Sequence, residues 1–223
     1  MRDHVNEHGG IGLSAGKGTC PLESMLVVDM DAQSLEMGLG KTLLKVIFNA
    51  AHRINRHSRT DDFVALQLPD LGSRAGVKGI DTAGSRVCLF GRRSTLDKVI
   101  QDLDFLRFEK RQSLEFTFGK IPADCQARAL VRNRACEKFS PGRAKRDAAR
   151  RERRQAHITA TSGQYSDNRK ARPQRDFHIQ LDSGVCLDIL AVDGGPLATE
   201  VSVSTYGLSS AAEPQFLPLV PSL

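Results

Sequence analysis

The six histidines and five cysteines are the side chains of this 223-residue chain best suited to proton transfer or metal ligation near neutral pH, and their spacing removes most options. Cys20, Cys88, Cys125, Cys136 and Cys186 are odd in number, widely spread and without a C-x-x-C pair, which argues against a disulfide framework and a zinc site. They read as reduced, mostly buried thiols. His52 and His57 are five apart and so face about 140° away from each other on a helix, too divergent to share a metal. No Asp/Glu cluster suggests a two-metal nuclease. Gly38-Leu39-Gly40-Lys41-Thr42 imitates a phosphate-binding loop, with VCLDILAVD downstream as a mock magnesium segment. The imitation fails because Leu35 occupies the position of the first glycine, where backbone amides must wrap the phosphates. His52 remains, following the apolar segment LLKVIFNAA, and a lone helical histidine is usually structural.

The second chemical signal is charge. From Arg128 to Arg175 there are 12 Arg and 3 Lys against Glu137, Asp147, Glu152 and Asp167, a net +11. The whole chain carries +6, so the remainder stands at −5. A basic block in an otherwise acidic chain is a footprint for a polyanion, and its excess of Arg over Lys favours directed phosphate and base contacts. Ser140-Pro141 is a helix start, after which Arg143, Arg146, Arg150, Arg151, Arg153 and Arg154 fall within an arc of about 160°. That helix has an arginine face and no apolar stripe, so packing stabilises it little and an anion against it would stabilise it more. Nucleic acid is the expected partner.

The elements that must position these groups divide the chain in two. Apolar content of 40% and charged content of 26% describe a globular chain, no apolar run approaches a membrane span, and a cytoplasmic protein without a membrane partner is expected. Residues 1–24 hold five Gly and no secretory apolar stretch, and read as a flexible leader. MLVVDM (25–30) reads as a buried strand, and Leu35 to about Arg56 as a helix with Leu39, Leu43, Val46, Ile47, Ala50 and Ile54 on one face. DFVALQL (62–68) and SRVCLF (85–90) read as strands. Ser94 caps a helix to about Leu106, with Leu96, Val99, Ile100 and Leu103 on one face, and SLEFTFG closes as a fourth strand. The order βαββαβ over 25–122 is the ferredoxin-like pattern. The basic half, 123–223, opens with QARALVRNRA as a strand with a largely basic face, and continues past the arginine helix through HITATSG, a polar loop at 164–175, and the segments DFHIQLD, VCLDILAV and TEVSVSTYGLS. The fold class is α+β.

Three stretches resemble one known family, in order and at similar spacing: the run Leu43 to His52, the arginine helix after Ser140-Pro141, and Tyr206-Gly207-Leu208-Ser209 with Phe216 and Pro218. The chain is similar, over 25–223, to the subtype I-F CRISPR RNA-processing endoribonucleases. The resemblance implies metal-independent cleavage of a CRISPR repeat transcript at the base of its hairpin, without a cofactor. A ribose 2′-hydroxyl attacks the adjacent phosphate, leaving a cyclic phosphate and a 5′-hydroxyl. It makes His52 the catalytic histidine, Ser162 (or Thr161) the residue that fixes the attacking ribose, and Tyr206 an active-site tyrosine. Phe177 would stack on a nucleotide at the stem base, Arg132 and Arg134 would read bases, and the helix arginines would contact phosphates and groove edges. The partners implied are the repeat hairpin, retained after cleavage, and the other subunits of a subtype I-F interference complex.

Three features depart from the family pattern. Its second base-reading position is usually Gln and here is Arg134, the 164–175 loop is longer, and residues 1–24 have no counterpart. Two other classes fit the residues taken alone: an RNA-hairpin-binding subunit that does not cut, and a basic DNA-binding module.

Overall fold

The computed structural model describes residues 16–71, 83–122, 124–134, 149–150, 152–153 and 176–220. It is α+β. A four-stranded antiparallel sheet is built from β2 (Ser24–Met30), β3 (Ala65–Gln67), β4 (Arg86–Gly91) and β5 (Leu114–Gly119), in the order β3-β4-β2-β5. Helices α1 (Ala32–Glu36) and α2 (Gly40–His57) connect β2 to β3, while α3 (Arg93–Ile100) and α4 (Leu103–Glu109) connect β4 to β5. The second sheet centres on β6 (Ala127–Arg132), which pairs antiparallel with β8 (Cys186–Asp193) and parallel with β10 (Ser209–Ser210). Strand β7 (Phe177–Gln180) pairs with β8, and β11 (Leu217–Pro218) with β6.

Strand alternation sorts the side chains into two cores. Leu26, Val28, Val87, Leu89 and Leu66 face α2, α3 and α4 in a cluster that also takes in Leu130, Phe177, Ile189, Tyr206 and Leu208, so the two sheets share one interior. Met25, Cys88, Phe90 and Ala65 face the other way, onto Cys20, Val201 and Val203. Strand β3 is therefore covered on both faces, and Phe63 to Leu68 are all fully buried although their alternation suggests a half-exposed strand.

The cover on that second face comes from the expected leader. Lys17–Pro21 is a strand, β1, paired antiparallel along its length with β9 (Glu200–Ser204). Its other edge is tied to the loop before β3, where the Thr19 amide donates to the Thr60 carbonyl at 2.6 Å and the Phe63 amide donates to the Thr19 carbonyl at 3.0 Å. Gly18 permits this approach, because a Cβ there would lie 2.7 Å from the Thr60 oxygen. The flexible-leader expectation is thus corrected for residues 17–21: long-range pairing orders a segment whose local composition promises little.

Both expected long helices are broken. Gly38, at φ +79°, ends the first helical turn and α2 restarts at Gly40. Only three residues separate the helices, which leaves no loop to cradle a phosphate. The Ser94-capped helix starts instead at Arg93, with Arg92 as its N-cap, and stops at Ile100. Asp102 then caps α4 by accepting from the Asp104 amide, and the same carboxylate takes a two-pronged ion pair from Arg53 at 2.6 and 2.9 Å. The restart turns Leu103 outward to 83% exposure, off the apolar face expected for it.

Candidate active site

Helix α2 carries the site. Its buried stripe runs through Leu44, Ile47, Phe48 and Ala51 to Asn55, so the stripe ends on an amide where a hydrophobe would continue it. Asn55 is fully buried and satisfied: its Nδ2 donates to the carbonyls of Val64 at 2.9 Å and Thr205 at 3.1 Å, and its Oδ1 accepts from the Val64 amide at 2.7 Å. One side chain thereby joins α2, the start of β3 and the turn after β9.

That turn presents Tyr206. Gly207 closes it with φ +72°, its amide donating to the Ser204 carbonyl and its carbonyl accepting from the Leu66 amide of β3 at 2.9 Å. Any Cβ at 207 would press to within 3.0 Å of the Val64 oxygen, so glycine is required both by the turn and by the approach to β3. Docked this way, the Tyr206 ring stacks on the His52 imidazole, with centroids 4.1 Å apart and planes 5° from parallel. The Arg132 guanidinium, from the end of β6, lies 5.4 Å from the same tyrosine ring.

The electrostatics favour a neutral histidine. Partial burial lowers the His52 pKa below the usual 6.5, and the charges of Arg56, Arg132 and Arg53 push in the same direction. The Thr205 backbone pulls the other way and is outweighed. Nδ1 of His52 is shielded from solvent and has no hydrogen-bond partner among the described residues. A neutral imidazole stacked on an aromatic, beside a guanidinium, can accept a proton from a hydroxyl next to an anion.

The structure brings together His52, Tyr206 and Arg132, which are 154 residues apart at the extremes. Arg134 is exposed two residues beyond Arg132, and Arg150 and Arg153 are exposed on helical backbone. Ser162, Thr161, Arg143, Arg146, Arg151 and Arg154 lie outside the described residues. The expectation for Phe177 is corrected. It is 1% exposed, sits in the shared core and pairs with Ile189 across β7 and β8, so its ring has no face to offer a nucleotide. Asn55 escaped the sequence reading, although a polar residue on the core stripe of an amphipathic helix was the available signal. Of the described thiols, Cys20 and Cys88 are buried, and burial pushes both pKa values up to about 12, so neither is a nucleophile. Cys125 and Cys186 are half-buried, which departs from the mostly buried expectation.

The family model described as CRISPR-associated protein (Cas_Csy4) matches residues 30–216. The chain belongs to this family. Membership in the CRISPR-associated family ties the chain to CRISPR-associated RNA processing, and the matched span contains His52, Arg132 and Tyr206 while excluding β1. No curated protein matches the sequence. Among the described residues no helix is long and apolar enough to cross a membrane.

Proposed function

We propose that the chain is a metal-independent endoribonuclease that cuts CRISPR precursor RNA at the base of the repeat hairpin and keeps the product hairpin as a subunit of a subtype I-F interference complex in the cytoplasm. The observation that carries this is the stacked His52–Tyr206 pair beside Arg132 in a member of the CRISPR-associated family. His52, held neutral, accepts the proton of the 2′-hydroxyl as that oxygen attacks the adjacent phosphate. Tyr206 fixes the plane of the imidazole, and Ser162 holds the ribose. Arg132 and Arg134 read base edges, while Arg143, Arg146, Arg150, Arg151, Arg153 and Arg154 hold the stem. The strand order β3-β4-β2-β5 with its helical crossovers supports a ferredoxin-like first half over 25–122, and 123–223 forms the RNA-binding half. Interactions with the stem are equal before and after the cut and so cannot drive release, which supports retention of the product.

The decisive assay is cleavage of the cognate repeat RNA with and without EDTA, across pH. Cutting that persists in EDTA is expected. Because the His52 pKa lies below 6.5, kcat/KM should be flat at neutral pH and fall about tenfold per unit once pH drops below that pKa, as the base becomes protonated. Loss of cutting in EDTA, or a rate that rises as pH falls, would overturn the mechanism.

A further inference from the structure

A cavity of about 400 Å³ shares Arg132 with the His52–Tyr206 site, although neither of those two rings lines it. Two walls and the stretch Leu208–Glu213 build it. One wall is the end of β6, where Arg132, Asn133 and Arg134 emerge beside Ser210 of β10. The other is the β1/β9 ribbon, whose Val201 and Val203 turn into the core. Alternation therefore puts Ser202 and Ser204 on the opposite face, and the antiparallel register sets Lys17 directly across from Ser204. All three line the cavity.

The chemistry of the lining is specific. Lys17, Arg132 and Arg134 supply three cations against one carboxylate, Glu213. The Ser204 hydroxyl is buried and has no hydrogen-bond partner among the described residues, while Ser202 stands exposed on the same face of β9. Ligand pockets run from about 300 to 1,000 Å³, so this one has room for a single nucleotide. No aromatic side chain is among the described residues that line it, which favours contact with sugar and phosphate over base stacking. Arg132 is common to the cavity wall and the Tyr206 ring, so an occupant would lie next to the reacting phosphate.

We propose that this cavity holds one unpaired RNA nucleotide flanking the scissile phosphate, its phosphate neutralised by Lys17 and its ribose met by the serine face of β9. The inference rests on the RNA-cleaving function proposed above, and adds to the binding surface a strand, β1, that lies outside the family match.

The test is equilibrium binding of the full chain to repeat hairpins made uncleavable by a 2′-deoxy sugar at the cut, bearing three extra nucleotides on the 5′ side, the 3′ side, both or neither. Lys17→Ala and Ser202→Asp, both at exposed positions, are compared with wild type over a range of salt. Flanking nucleotides on one side should raise wild-type affinity whatever their bases, and the productive side identifies the strand. Both variants should lose most of that gain, with the salt slope for flanked RNA falling by about 0.7 in Lys17→Ala. Equal affinity of flanked and bare hairpins for wild type would overturn the cavity proposal and leave the hairpin reading standing. A gain that survives in both variants overturns it too. If no hairpin is bound but a short unpaired RNA of the flanking sequence, titrated alongside, is bound in a Lys17-dependent way, the cavity stands and the hairpin reading falls. Binding of neither sinks both.

Discussion

His52 and Tyr206 are held by buried contacts from α2, β3 and the turn after β9, whereas Arg134, Arg150 and Arg153 stand exposed. The difference follows from what each region does. Proton transfer is lost when donor and acceptor move by about an ångström, so its groups need a rigid frame. Attraction between charges falls off slowly with distance, so cations that meet a phosphate chain can remain on the surface and be ordered by their ligand.

Replacing His52 with Ala tests the rigid region most directly. Cleavage of the repeat should drop by about 10² to 10⁴-fold, the usual worth of a positioned proton carrier, while hairpin affinity stays near wild type. Cleavage at an undiminished rate would put the chemistry in another part of the molecule.

Phe177 sharpens the boundary between the regions, since the resemblance puts it on the RNA and the structure puts it in the core. Phe177→Ala should cost about 3–5 kcal/mol in urea unfolding and leave the affinity of the folded protein unchanged. Full stability with weakened binding would return the ring to the RNA surface.

Asn55→Ala strands the Val64 amide and carbonyl and the Thr205 carbonyl, at a cost of about 3 kcal/mol. For a chain of this size that lowers Tm by about 6–12 °C, readable by circular dichroism. The turn bearing Tyr206 loses an anchor, so kcat should fall more than KM rises. An unchanged Tm would mean that water replaces the amide and that the frame around His52 is looser than its hydrogen bonds suggest.

On the exposed side, Arg150→Ala with Arg153→Ala should weaken hairpin binding and flatten its salt dependence by about 0.9 for each phosphate no longer neutralised, with Tm unmoved. An unaltered slope would show that these cations face solvent even in the complex.

How much of this was legible beforehand varies by element. Strands β2, β4 and β5 were readable because apolar alternation reports directly on the two faces of a sheet. Breaks at Gly38 and Asp102 were less so: apolar spacing runs through both, and only the positive φ of one and the Arg53 pairing of the other show that the chain stops there. His52 was visible as a histidine at the end of an apolar helix, and Tyr206 as part of a resemblance, but nothing in their local patterns sets the two rings in contact.

By itself, then, the sequence determined the α+β class, the concentration of positive charge between Arg128 and Arg175, and the residue types suited to act on a polyanion, because composition, periodicity and charge are local properties. Tertiary structure alone decided that Lys17–Pro21 joins β9, that Phe177 is core, that Asn55 clamps three segments, and that His52 meets Tyr206 at 4.1 Å. Each of these depends on a partner tens to more than a hundred residues away, and a pattern read within one segment carries no information about which distant segment will cover it.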